Sequence, residues 1–154
     1  MSDRIEKYIK KGTTTVGIVC KEGIVLAADK RATAAGRIVL NKTVEKVVKL
    51  TDNLAVTIAG NVSDIQLITK LIKAEIALKT IRTGIVPTVK EVANLLGTII
   101  YQNIRKFSAI PGITAFLLAG KDDFGLHLYE LSPDGSVMEH KNYMADGSRF
   151  MMAL

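Results

Sequence analysis

GTTTVGIVCKEGIVLAADKR, running from Gly12 to Arg31, is an apolar alternation, a short polar break and a second apolar run. Thr14, Val16, Ile18 and Cys20 alternate with Thr15, Gly17 and Val19, which is the two-residue period of a strand. Lys21-Glu22-Gly23 reads as a tight turn in which glycine can take a left-handed conformation, and Ile24 to Lys30 supplies a second strand. The chain therefore opens on a β-hairpin. With residues 21–23 as the loop, Cys20 faces Ile24, Thr15 faces Asp29 and Thr13 faces Arg31. Paired residues share a sheet face, as do i and i+2 along one strand. This register gathers Thr13, Thr15, Asp29 and Arg31 at one end, a hydroxyl group beside a carboxylate and a guanidinium. Cys20 reads as a small core residue; being the only cysteine, it can form neither an internal disulfide nor a cysteine metal cluster.

Beyond the hairpin, strands are expected at Val44 to Leu50 and Leu54 to Ala59, joined by the polar turn Thr51-Asp52-Asn53. In the first of these, Val44, Lys46, Val48 and Leu50 share a face on which Lys46 is the single charge. An unpaired buried ammonium is costly, so such a lysine meets a carboxylate or takes part in chemistry; the plain alternative is a stem snorkelling at a strand end. The middle of the chain is helical. Ser63 or Asp64 can cap a segment carrying Ile65, Ile68, Leu71, Ile72 and Ile76, with Gly84 after its end. Thr88 and Glu91 form a capping-box pattern opening a second helix whose buried side is Val92, Leu95, Leu96, Ile99 and Ile100. Three more strands follow, near Ile113 to Ala119, Phe124 to Leu131 and Ser136 to Met144, and Gly147 to Leu154 reads as the start of a further helix. Strands, two helices and strands again predict an α+β protein with helices on a largely antiparallel sheet system. Taken alone, these elements suffice for one sheet with two helices and fall short of two stacked sheets between helical layers.

Composition narrows the function classes. A chain of 154 residues with 48% hydrophobic content is the size of one domain with one core. No apolar run approaches the roughly 20 residues needed to span a bilayer. MSDRIEKYIKKG lacks the apolar stretch of a secretory signal and contains acids that a transit peptide avoids, which points to a soluble cytoplasmic protein. The net charge of +6 is spread among acids, and without tryptophan or an aromatic stacking pattern nucleic-acid binding is not expected. His127 and His140 lack ligand spacing, so neither a metal nor another cofactor is expected. Met138, Met144, Met151 and Met152 read as packing residues.

Three stretches in order carry a specific resemblance: Gly12-Thr13-Thr14-Thr15-Val16-Gly17-Ile18, then Val25-Leu26-Ala27-Ala28-Asp29-Lys30-Arg31-Ala32-Thr33, then Thr57-Ile58-Ala59-Gly60-Asn61-Val62-Ser63-Asp64. Together they resemble a proteasome β subunit of the archaeal type, and the likeness runs from Gly12 to the end of the chain. The resemblance implies an antiparallel β-sheet sandwich flanked by helices, the four-layer αββα fold of N-terminal-nucleophile hydrolases. It implies a propeptide at 1–12 and a hydrolase domain at 13–154, removal of the leader exposing Thr13 as nucleophile with its own α-amine as general base. Such an amine titrates at about 7.7–8, and a positioned base contributes roughly 10²- to 10⁴-fold in rate. While Gly12 is attached that amine is blocked, so the chain is a zymogen that cuts itself, and glycine leaves the bond open to attack.

By the same resemblance Asp29 and Lys46 tune and orient the threonine, Thr33 and Gly60 hold the substrate backbone, and the Gly60 amide is the oxyanion donor. Ala32, Val44, Val48, Ile58 and Val62 line an apolar pocket, implying cleavage after large hydrophobic residues, with Arg31 and Ser148 in support. The implied partners are proteasome α subunits and other β subunits in stacked seven-membered rings, a regulatory ATPase ring acting through the α ring, and unfolded proteins as substrates. Two departures stand out. Aligned on Phe150, a serine that in the family touches the threonine amine falls on Asp146, with Ser148 nearby, and the chain stops at Leu154, so the C-terminal part of the fold is expected to be missing. These departures keep a noncatalytic ring-building subunit as the alternative. The related bacterial ATP-dependent peptidase differs at Ala28-Asp29-Lys30-Arg31.

Overall fold

The first turn is one residue shorter than the sequence suggests. In the computed structural model, which describes residues 13–30, 32–34, 38–41 and 44–147, strand β1 spans Thr14–Val19 and β2 spans Ile24–Ala28. The Cys20 amide donates to the Gly23 carbonyl at 2.8 Å, so Lys21 and Glu22 alone form the loop. Thr15 consequently pairs with Ala28 and Val19 with Ile24, not Thr15 with Asp29. A one-residue slip transfers every side chain of a strand to the other face. Gly23 is not one of the described glycines with positive φ, which are Gly60, Gly84, Gly125 and Gly135. Cys20, at the edge of this tight loop, is exposed rather than in the core.

Strands β3 (Ala32–Ala34) and β4 (Ile38–Asn41) pair with each other, and β5 (Val47–Thr51) pairs with β6 (Leu54–Gly60). The strand expected from Val44 thus begins at Val47, and Lys46 precedes it. Helix α1 spans Val62–Thr83 and is capped by Asn61, whose side chain accepts from the Ser63 amide, rather than by Ser63 or Asp64. It ends at Gly84, whose φ of 70° lets its amide reach the Thr80 carbonyl at 2.8 Å. Ile65, Ile68, Ile72 and Ile76 form the buried stripe; Leu71, expected with them, is 43% exposed on the outer face beside Leu67 and Leu78. Helix α2 (Val89–Arg105) opens with the Thr88–Glu91 capping box and buries Val92, Leu96 and Ile100, leaving Leu95 exposed and Ile99 partly buried against the core.

After α2 come β7 (Thr114–Asp122), β8 (Gly125–Leu131), β9 (Val137–His140) and β10 (Tyr143–Gly147). The single strand expected at Ser136 to Met144 is therefore two, separated by Lys141 and Asn142. β9 continues a five-stranded sheet ordered β5-β6-β7-β8-β9, whereas β10 crosses to a three-stranded sheet ordered β10-β1-β2. Gly147 closes β10 instead of starting a helix, and the remainder of that expected helix lies outside the described residues.

Alternation along β6, β7 and β8 builds two cores. Leu54, Val56, Phe116, Leu118 and Leu131 pack with Ile68, Ile72, Leu96 and Ile100 of the helices. Leu117, Ala119 and Leu128 face the other way, onto Val19, Ile24, Leu26 and Met144 of the three-stranded sheet. Two antiparallel sheets thus stack, which the element count alone argued against, and both described helices cover the five-stranded sheet. Among the described residues no helix covers the far face of the three-stranded sheet, so they represent three of the expected four layers. Each fully buried Leu, Ile or Phe contributes about 1.5–3 kcal/mol through its apolar area. No described helix is long and apolar enough to cross a membrane.

Candidate active site

Thr13 stands immediately before β1, Asp29 immediately after β2, and Lys46 immediately before β5. The hairpin holds the first two together by a reciprocal pair of bonds. The Asp29 amide donates to the Thr14 carbonyl at 3.1 Å, and the Thr14 amide donates to Asp29 Oδ1 at 2.9 Å. Lys46 is anchored through its backbone, its carbonyl accepting from the Ile58 amide of β6 at 2.9 Å, while the Val44 amide donates to the Lys30 carbonyl at 3.0 Å. From that anchor Lys46 Nζ donates to Thr13 Oγ1 at 3.0 Å and to both Asp29 carboxylate oxygens at 3.1 Å. Lys46 is only 7% exposed and Asp29 34%, so the ammonium is largely withdrawn from water and keeps its charge company with the carboxylate.

This arrangement has a definite chemical consequence. An ammonium that donates to a hydroxyl oxygen stabilises negative charge developing on that oxygen, and it leaves the hydroxyl proton pointing elsewhere, toward a base. Asp29 fixes the lysine from the opposite side. An oxygen so placed can carry the charge of a nucleophilic attack.

The other expected residues divide. Gly60 ends β6 with φ 126°, a conformation that L side chains rarely adopt, and a Cβ there would stand 2.2 Å from the Ile113 carbonyl oxygen. Thr33 and Ala32 lie in β3, where Ala32 pairs with Asn41 and Thr33 with Val39. Val48 and Ile58 pack against the helix-side core, Val44 is half-buried, and Val62 is 58% exposed as the first residue of α1. Gly12, Arg31 and Ser148 lie outside the described residues. The expected pairing of Thr13 with Arg31 lies outside the described residues.

One contributor escaped sequence reasoning, and a second was read there only as a departure from a family pattern. The Thr14 amide binds Asp29, a role that any residue type can fill and that leaves no mark in the sequence. Asp146 is brought opposite Thr15 by the β1–β10 pairing, and Thr15 Oγ1 donates to the Asp146 carbonyl at 3.5 Å. The signal for Thr15 was its place on the inward face of β1, where it is 1% exposed.

The histidines are engaged elsewhere. His127 Nδ1 lies 2.8 Å from Glu139 and Nε2 3.4 Å from Asp122, while His140 Nε2 lies 2.9 Å from Glu130. The hydrogen bond from His127, assisted by Lys141, holds the Glu139 carboxyl below the usual carboxylate range. Among the described residues no three His, Cys, Asp or Glu side chains are grouped to hold a metal ion.

Comparison with known proteins places this geometry in context. A sequence model described as proteasome subunit matches residues 9–154. The chain is 42% identical over 149 residues to a proteasome subunit beta of Ferroglobus placidus, an alignment covering 97% of this chain and 69% of that protein. It is 38% identical over 149 residues to the proteasome subunit beta of Archaeoglobus fulgidus, covering 97% and 68%. With the Methanopyrus kandleri proteasome subunit beta the identity is 36% over 140 residues, covering 91% of this chain and 65% of the relative.

Proposed function

Because the chain belongs to the proteasome β-subunit family, we propose that it is a proteolytic β subunit of a proteasome core particle, a threonine-type endopeptidase whose nucleophile is Thr13. The observation that carries this reading is the position of Lys46 Nζ, 3.0 Å from Thr13 Oγ1 and 3.1 Å from both oxygens of Asp29.

In the precursor, Thr13 Oγ1 attacks the Gly12 carbonyl, the Gly12–Thr13 amide bond breaks as an ester forms, and water hydrolyses that ester. Residues 1–12 leave as a propeptide with a terminal carboxylate, and Thr13 gains a free α-amine. In a substrate the same oxygen attacks the scissile carbonyl and its proton passes to the α-amine; the peptide C–N bond breaks as the leaving amine takes a proton, and water hydrolyses the resulting ester. Lys46 stabilises the oxygen, Asp29 holds Lys46, and the Gly60 amide receives the oxyanion. Thr33 holds the substrate backbone, and Ala32, Val44, Val48, Ile58 and Val62 set a preference for large apolar residues before the cut. Arg31 and Ser148 support the site. The chain works in the cytoplasm, in seven-membered rings stacked with α subunits, and receives unfolded proteins from an ATPase ring.

The test is the intact mass of the full-length chain after assembly with matching α subunits. Loss of Met1 to Gly12, abolished by Thr13→Ala, is the expected outcome. A leader retained in fully assembled particles leaves the chain as a noncatalytic ring-building subunit.

A further inference from the structure

Two buried hydroxyls have no hydrogen-bond partner among the described protein groups, Thr69 Oγ1 in α1 and Thr114 Oγ1 at the start of β7. Thr114 is the one beside the candidate site, for it is 0% exposed and pairs directly with Gly60, the last residue of β6. Phe116 and Leu118, on its own face of β7, and Ile58, on the face of Gly60, lie in the helix-side core. By alternation the Thr114 side chain enters the end of that core, at the level where α1 begins. Side chains of a direct pair stand next to each other on one face, and here the partner has none. The two backbones are nevertheless in close contact. A Cβ on Gly60 would stand 2.9 Å from Thr114 Cα and 2.2 Å from the Ile113 carbonyl oxygen, which accepts from the Asn61 amide at 3.0 Å. A shift of the first residues of β7 is therefore a shift of Gly60. The Ile58 amide points toward the Lys46 carbonyl, and by the same alternation the Gly60 amide points to that side, away from β7.

Resting on the peptidase reading above, in which the Gly60 amide receives the oxyanion, we propose that Thr114 holds one buried water at the junction of β6 and α1 and thereby positions that amide. A hydroxyl closed off from solvent and left bare is destabilising, and buried polar groups in folded proteins are met by protein or by ordered water. Water has the right chemistry for this place. It is small enough to stand where the paired side chain is missing, and it both donates to and accepts from a hydroxyl. Further groups for it belong to the same junction: the second lone pair of the Ile113 carbonyl, and the opening amides of α1, of which Asn61 takes up those of Ser63 and Ile65. The water ties the start of β7 to the start of α1 on either side of Gly60. A backbone amide has no rotamer of its own, so its direction before charge develops is fixed by the chain around it. Thr69, about two turns further along α1, is the built-in comparison, a second bare hydroxyl remote from this junction.

The experiment follows thermal unfolding of the full-length chain, and kcat and KM after its assembly with α subunits, using a peptide cut after a large apolar residue. Thr114→Val keeps the shape of the side chain and removes the hydroxyl. It is expected to lower Tm by about 2–4 °C. It is also expected to lower kcat by about tenfold with KM little changed, short of the roughly 10²- to 10³-fold lost with an oxyanion donor itself. Thr114→Ser, which keeps the hydroxyl, is expected to restore kcat. A Tm that rises in Thr114→Val overturns the proposal, because it identifies a bare hydroxyl whose removal is a gain. A kcat equal to wild type overturns it too, as does an equal loss in Thr69→Val, which reports on the core at large. Should the valine variant fail to fold, a crystal structure of the wild-type particle decides: an ordered water within hydrogen-bond distance of Thr114 Oγ1 is expected, and a hydroxyl without one overturns the proposal. Turnover undiminished by Thr13→Ala overturns the parent reading instead, and is told apart because the water and the Tm shift do not depend on catalysis.

Discussion

Lys46 concentrates the chemistry of this site because it is the point at which three chain segments meet. Its ammonium is 7% exposed and shares its protons between Thr13 and Asp29. Lys46→Ala leaves the Asp29 carboxylate without that cation and the Thr13 oxygen without its stabilising charge. Propeptide removal and peptide turnover are expected to fall by about 10²-fold or more, measured by intact mass and initial rates on particles whose assembly is checked by size. Lys46→Arg is expected to fail as well, since a planar fork cannot replace a point donor shared by a hydroxyl and a carboxylate. The cost in stability is smaller than for a fully buried pair, because Asp29 is 34% exposed. Thr13, Asp29 and Lys46 were each singled out in the sequence, but the hairpin register that grouped Thr13 with Asp29 was off by one. Asp29 reaches the cluster because it lies just past the end of β2, where strand alternation no longer dictates the direction of its side chain.

Elements governed by local bonds follow the sequence closely. Thr88 accepts from the Glu91 amide at 3.2 Å while the Glu91 carboxylate accepts from the Thr88 amide at 2.9 Å, a motif complete within four residues. Thr88→Ala is expected to cost about 1 kcal/mol and to lower Tm by about 2–4 °C, measured by thermal unfolding. A variant with unchanged Tm would mean that Asp122, which accepts from the Val89 amide at 2.8 Å, holds the helix start by itself. Element ends set by a neighbouring strand are less legible. Asn61 caps α1 two or three residues before the expected Ser63 or Asp64 because β6 runs on to Gly60 and delivers it there. The division between β9 and β10 has the same origin, for the apolar pattern passes through Lys141 and Asn142 although the two halves pair in different sheets.

At the scale of the molecule, the site depends on how closely the two sheets approach. Gly17 of β1 sits over Leu128 of β8, and a Cβ at Gly17 would stand 2.7 Å from Leu128 Cδ1. Gly17→Ala is expected to destabilise by about 1–3 kcal/mol through overpacking, and Leu128→Ala by about 2–5 kcal/mol through the cavity it leaves. The double variant is expected to lose measurably less than the sum, because the added methyl occupies part of the vacated space. Denaturant unfolding of the three variants reads this coupling, and additive losses would place the sheets in contact elsewhere. Prying the sheets apart at Gly17 also displaces β1, and with it Thr13 from Lys46.

Residue type and local spacing determined the hairpin, both helices and the capping box, because each depends on chemistry within a few neighbouring residues. Which residues pair across β1 and β2, which strand β10 joins, and whether one sheet or two are built were decided only by tertiary structure. Register and sheet choice are set by the side chains that fit between layers, such as Leu128 over Gly17, two residues more than a hundred positions apart in the chain. For the same reason the sequence could show Asp146 as a departure from a family pattern, while only the pairing with β1 put it across from Thr15.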